Sequence, residues 1–192
     1  MVRIMNLDNY KEIIKNNMGE YRFEHSVNVS HEAGILAKIY GADADKAKLA
    51  GMIHDATKEF SIEDQLQIIG KSDIILDSIE LANKNLLHAI SGCAYAKSVL
   101  DITDIDILNA IRYHTTGRAN MSILEKVIYM ADFTSAERKY DGVGELRQIA
   151  RQDLDKAIII TTSFTISELA KRRTTIHPNV VNLYNEVICK NL

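Results

Sequence analysis

Helix breakers are scarce in this chain. Pro178 is the single proline among 192 residues, only nine glycines punctuate the rest, and the stretches between them carry apolar residues at the three-and-four spacing of amphipathic helices. A polypeptide so seldom interrupted, with 46% hydrophobic residues to bury, is expected to fold as one nearly all-α domain over residues 1–192. No stretch joins a basic start, an unbroken apolar run and a cleavage site, and none reaches the ~20 apolar residues that span a bilayer; a cytoplasmic protein with no membrane partner is expected. Cys93 and Cys189 lie far apart without paired spacing and read as buried, reduced thiols. A net charge of −3 with both signs interspersed offers no general attraction to a polyanion, so no nucleic-acid partner is expected and any phosphate binding must be local.

The punctuation places the helices. Asp8 to Met18 reads as the first, with Asn6 as its cap and Gly19 as its stop. The second runs from Tyr21 to Tyr40 before Gly41 and puts His25, Val29, Glu32 and Leu36 on one side, leaving His31 rotated to the surface or a second layer. Asp43 caps a third, whose narrow stripe of Ala47, Ala50, Gly51 and His54 allows close approach of a neighbouring backbone. Ser61-x-x-Asp64 opens a short helix to Gly70. Asn83 or Asn85 precedes a helix carrying His88, Ser91, Gly92, Tyr95 and Val99. Thr103-x-x-Asp106 opens one that ends at His114, and the capping box Ser122-x-x-Glu125 starts the helix bearing Ile128, Ala131 and Asp132. Pro178 suits the first position of a last helix, preceded by the basic turn Lys171-Arg172-Arg173, which reads equally as an anion subsite or as a solvated face.

His54-Asp55 ends an apolar, small-residue segment, where an ionised carboxylate beside an imidazole is costly unless a cation compensates. His25, His88, His114 and Asp132 each recur on or beside such a stripe. Imidazole nitrogen and carboxylate oxygen without thiolate suit Fe, Mn, Co, Ni or Zn in a catalytic site and argue against a cysteine-zinc knuckle or an all-oxygen calcium cage. Such an ion polarises a phosphoryl oxygen and lowers the pKa of water toward ~7. Lys58, one turn past His54, and Arg22, one turn before His25, are spaced to reach an anion gathered there, as is Arg138, six residues after Asp132. Two other patterns fail: Ile35 stands where a zincin helix beginning His31-Glu32 needs its second histidine, and Gln65 stands where a phosphate loop ending Gly70-Lys71-Ser72 needs glycine.

Taken together, Arg22-Phe23-Glu24-His25-Ser26, His54-Asp55-Ala56-Thr57-Lys58, Leu87-His88, His114 through Ser122, Ala131-Asp132 and Ile176-His177-Pro178 resemble the HD-domain phosphohydrolases, and within them the YqeK family of symmetrical bis(5′-nucleosyl)-tetraphosphatases. The resemblance implies an all-helical HD fold, a bound iron or similar ion, and hydrolysis of diadenosine tetraphosphate into two ADP by metal-activated water. His25, His54, Asp55 and Asp132 match the family's metal positions; His54, Asp55 and Lys58 are expected to carry catalysis. His88 and His114 hold either a second ion or substrate phosphate. Arg22, His25, Lys58, Thr115, Arg138, Ile176 and His177 are expected to bind substrate, and a homodimer is compatible with this reading. After Asp132 the chain departs from its relatives, which carry Glu-Pro where it has Ser135-Ala136. Rival expectations are an HD hydrolase of another nucleotide, such as a monophosphate, deoxynucleoside triphosphate or alarmone, and a nucleotide-binding module without turnover.

Overall fold

In the computed structural model, which describes residues 7–190, no strand forms among the described residues and helices make nearly the whole body. They are α1 (Leu7–Lys15), α2 (Glu20–Tyr40), α3 (Ala44–Ile53), α4 (Ile62–Gly70), α5 (Ser78–Ala82), α6 (Leu87–Ser98), α7 (Ile105–Tyr113), α8 (Ile123–Thr134), α9 (Val143–Gln152), α10 (Leu154–Lys171) and α11 (Pro178–Lys190). The Asn6 cap expected for the first helix lies outside the described residues. None of the described helices is long and apolar enough to cross a membrane.

The central layer is α2 packed on α3 and α8, with α7 closing against α3 and α8. On one side α6 covers α7 and carries α4; on the other α10 covers α8 and carries α9 and α11. Leu36, Ile53, Ile111, Ile128 and Ile158 are wholly buried in the core these helices share, each worth about 1.5–3 kcal/mol on transfer from water. On α2, His25, Val29, Glu32 and Leu36 are all buried, while His31 faces solvent as its rotation requires. Gly51 on α3 lies against α2 so closely that an added Cβ would sit 2.9 Å from Ser30 Cα and 3.1 Å from the Val29 carbonyl carbon. That contact lets α2 and α3 run nearly backbone to backbone.

Caps set the helix starts. The Asp43 carboxylate accepts the amides of Asp45 and Lys46, the Ser61 hydroxyl that of Asp64, and Ser122 with Glu125 forms the expected reciprocal box, each such cap worth ~1 kcal/mol. Asn83 settles the alternative before α6: it caps a short 3-10 turn, Lys84–Leu86, that feeds straight into the helix. The start of α7 is corrected from Thr103 to Asp104, whose carboxylate accepts from Asp106 and Ile107. Cys189 is also corrected, being exposed on the last turn of α11; Cys93 is half-buried, and burial pushes its thiol up to about 11. Three helices, α5, α9 and α10, go beyond the sequence expectations.

Candidate metal centre

Five helices bring their chemistry to one buried point. His25 comes from the second turn of α2, His54 caps the C-terminus of α3 with Asp55 next in line, His88 sits in the first turn of α6, His114 caps the C-terminus of α7, and Asp132 lies in the last turn of α8. The four imidazoles and Asp55 are all at most 3% exposed. His25 Nε2 lies 3.2 Å from His54 Nε2 and 3.1 Å from Asp132 Oδ1. His88 Nε2 lies 3.1 Å from His114 Nε2. Between the pairs stands the Asp55 carboxylate. Its Oδ2 is 3.7 and 3.6 Å from His25 and His54, and its Oδ1 is 3.2 and 3.6 Å from His88 and His114.

The far sides of the rings fix their tautomers. His54 Nδ1 donates to the Gly51 carbonyl at 2.7 Å and His114 Nδ1 to the Ile111 carbonyl at 2.8 Å; a carbonyl only accepts, so the lone pairs of both Nε2 atoms point into the cluster. Burial pushes His54 and His88 down to about 4, which keeps both neutral. Burial also presses His25 down, but bonds to Asp132 and Glu137 and the charge of Asp55 outweigh it and raise its pKa. Asp55 and Asp132 both stay ionised. Burial opposes this; the imidazoles packed round Asp55 prevail there, and for Asp132 the His25 bond and the Arg138 guanidinium.

These residues fit a divalent cation. His54 and His114 each aim an Nε2 lone pair into the cluster, 3.2 Å from His25 Nε2 and 3.1 Å from His88 Nε2, so nitrogen donors from four helices are gathered round one point where an electropositive ion would be held. The separations, 3.1–3.7 Å, are those of donors sharing an ion bonded at ~2.0–2.2 Å. Two sets share Asp55, one with His25 and His54 and one with His88 and His114, so there is room for one ion or two. The donor set has no sulfur, which suits Fe, Mn, Co, Ni or Zn.

Cations surround the centre. Arg22 Nη1 donates to Asp55 Oδ2 at 2.8 Å, Lys58 Nζ stands 3.1 Å from both ring nitrogens of His88, and Arg138 binds Asp132 through both its carbonyl and its carboxylate. Arg22 Nε and Glu137 Oε2 are buried with no partner, two polar atoms at the site left open. Thr115, half-buried, follows His114 in a loop fixed to the body: Gly117 takes the left-handed φ of 58°, where a Cβ would meet Leu183 of α11 at 2.3 Å.

The structure does not bring the Ile176-His177-Pro178 turn into this cluster. His177 is buried in a separate group, donating from Nε2 to Asp77 at 3.0 Å and accepting the Asn179 amide on Nδ1, so its ring ties the start of α11 to α5. Ile176 is half-buried beside it. Lys171, Arg172 and Arg173 are exposed, and the first two pair with Glu168, which favours the solvated reading of that basic turn.

Glu137 is the residue that the sequence reading missed. Its carboxylate accepts from His25 Nδ1 and from Ser135 Oγ, completing a carboxylate–histidine arrangement that fixes the ring and presents Nε2 inward. The Arg147 guanidinium holds this loop by donating to the carbonyls of Thr134, Ser135, Ala136 and Arg138. Glu137→Gln is expected to weaken divalent-ion binding about 10–100-fold while barely moving the melting temperature in chelator; isothermal titration that gives wild-type affinity would show that Glu137 does not orient His25.

Comparison with known proteins agrees with this geometry. The HD domain family matches residues 22–137, a span that begins at Arg22 and ends at Glu137. The chain is 38% identical to the symmetrical bis(5′-nucleosyl)-tetraphosphatase of Halalkalibacterium halodurans over 96% of its own length and 98% of the relative's, and 36% identical to that of Bacillus subtilis over the same shares. A crystal structure from Clostridium acetobutylicum, described as an HD superfamily hydrolase involved in NAD metabolism, superposes with a TM-score of 0.93 at 39% identity, covering 97% of this chain and 98% of that one. The chain therefore belongs to the HD domain family, and within it to the family of the symmetrical bis(5′-nucleosyl)-tetraphosphatases.

Proposed function

We propose that this protein is a one-domain, cytoplasmic, metal-dependent hydrolase that cleaves diadenosine tetraphosphate symmetrically into two ADP. The observation that carries this reading is the Asp55 carboxylate, one oxygen turned to each histidine pair, set among Arg22, Lys58 and Arg138. Its relatives in Halalkalibacterium halodurans and Bacillus subtilis bear that activity in their names. A divalent ion, with iron the first choice and manganese, cobalt, nickel or zinc the alternatives, supplies Lewis acidity toward phosphoryl oxygens and makes water a better nucleophile near neutral pH.

The chain's own groups do the rest. His25, His54, Asp55 and Asp132 hold the ion, and His88 with His114 holds either a second ion or a phosphate oxygen. Lys58, beside His88, and Arg138, beside Asp132, hold the phosphates flanking the central linkage. Water adds to one of the two inner phosphorus atoms, and the bond from that atom to the central bridging oxygen breaks. The leaving group is ADP, whose terminal phosphate has a second pKa of about 6 and departs near neutral pH without a general acid. The second ADP carries the new oxygen.

Purified protein incubated with diadenosine tetraphosphate should release ADP alone. ATP with AMP, or consumption of a monophosphate or deoxynucleoside triphosphate with the dinucleotide untouched, would transfer the chain to another HD specificity. Elemental analysis of protein purified without added metal is expected to find iron.

A further inference from the structure

Beyond Asp132 the centre opens into a cleft of about 580 Å³ between α8, α9 and α10. Phe133, Leu146 and Ile149 give it an apolar floor, and Phe164 and Tyr140 stand at its mouth. Phe164 is 63% exposed and Tyr140 43%, a conspicuous outlay of aromatic surface beside a catalytic centre. Asp141 and Glu145 add carboxylates to the wall. Arg138 lies at the inner end, bound to Asp132, where a chain of phosphates leaving the centre would pass.

We propose that this cleft is a nucleoside subsite, taking the base and ribose of one half of the dinucleotide, an inference that rests on the function proposed above. A substrate cleaved at its middle carries a nucleoside on each side of the reacting linkage, so a centre that acts on it needs room in two directions. Lys58, His88 and His114, from the α3 end, α6 and α7, border one direction. Asp132 and Arg138 border the other, and the other leads here. The volume falls within the ~300–1,000 Å³ of small-molecule sites. The aromatic faces of Phe164 and Tyr140 suit stacking on a purine, and the Asp141 and Glu145 carboxylates accept from ribose hydroxyls or an exocyclic amine. An apolar peptide would leave the Arg138 end without an anion.

The chain contains no tryptophan, so Phe164→Trp places a single indole reporter at the mouth of the cleft. In the metal-loaded full-length protein, its fluorescence is expected to change saturably with ADP and with adenosine but not with pyrophosphate. Phe164→Ala, a change at an exposed position, should raise KM for diadenosine tetraphosphate about tenfold with kcat within about twofold, in line with loss of one base–aromatic stack. It should also remove most of the wild-type preference in kcat/KM for that dinucleotide over adenosine 5′-tetraphosphate, which lacks the second nucleoside. No indole response to adenosine with that preference unchanged would overturn the assignment. So would a response that follows protein concentration alone, which would give the cleft to a second copy of the chain. A wild-type enzyme that makes two ADP while Phe164→Ala behaves identically sinks only the subsite; a wild type that makes none sinks the proposed function, with the indole titration still deciding the cleft.

Discussion

Asp55→Asn is expected to give a folded protein that retains no ion and turns over no dinucleotide. Both carboxylate oxygens of Asp55 are committed, one to each histidine pair, so a neutral amide of the same size removes charge from both halves of the centre at once. A Lewis acid contributes several kcal/mol to the transition state. At 1.36 kcal/mol per decade, its loss lowers kcat on the order of 10³-fold or more. The fold should survive, because Arg22, the cation that bonds Asp55 among the described residues, keeps partial access to water and strands little charge.

Metal content by elemental analysis, ADP release and thermal melts together check this. An ion present at ~100 times its Kd stabilises the native state by about 2.7 kcal/mol, and a chain of this size gains ~2–4 °C per kcal/mol. Added metal should therefore raise the wild-type melting temperature by roughly 5–11 °C and leave Asp55→Asn unmoved. In chelator the two should melt close together. Lys58→Ala is the contrasting variant: its amine touches His88 and no carboxylate of the centre, so metal content should persist while phosphate handling falls. Stoichiometric metal with full turnover in Asp55→Asn would remove the physical basis of the whole reading.

Chemistry proved more legible in the sequence than architecture. His25, His54, Asp55, His88, His114 and Asp132 could be singled out because each interrupts a small or apolar stripe, a costly placement that a shared cation explains. Their convergence needed only that each stripe face the core. Glu137 was hidden because nothing about an acidic residue in a polar loop says which way it points. Its reach to His25 is created by the turn after α8 and by Arg147 gathering four carbonyls from residues 134–138. Thr103 and Asp104 are adjacent capping residues, and only the backbone shows which one accepts the free amides.

The unread helices have a similar cause. Within α10 the run Ile158-Ile159-Ile160-Thr161-Thr162 is β-branched throughout and favours a strand on local propensity. Packing against α8, α9 and α11 overrides that preference. The short α5 is held by its Asp77–Glu80 capping box and by contacts made elsewhere in the chain, from Arg112 to Glu80 and from His177 to Asp77. His177 has a structural part that its motif does not announce: its ring joins the start of α11 to α5.

Gly51→Ala is expected to destabilise the protein although alanine is the better helix former. In an exposed helix the exchange gains ~1 kcal/mol. Here the new methyl would lie 2.9 Å from Ser30 Cα and 3.0 Å from Ser30 N, against a preferred separation of about 3.5–4.0 Å, and both neighbours are backbone atoms that no rotamer change can move aside. The helices must part, and overpacking of this kind costs typically ~1–3 kcal/mol. With the propensity gain set against it, the melting temperature should fall by a few degrees for alanine and further for Gly51→Val, whose branches add bulk at the same contact.

The displacement also reaches the site. Val29, whose carbonyl carbon lies 3.1 Å from the added Cβ, is one turn from His25 along α2, and Gly51 is three residues before His54, which it also orients through its carbonyl. Forcing α2 from α3 therefore widens the 3.2 Å approach of the two imidazoles, and Gly51→Ala should bind metal more weakly than its loss of stability alone would require. Melts in chelator measure the packing cost and metal titration measures the spread of the donors. An alanine variant that melts higher than wild type would mean that the α2–α3 contact is slack. In that case the small-residue stripe could not be what sets the spacing of the histidines.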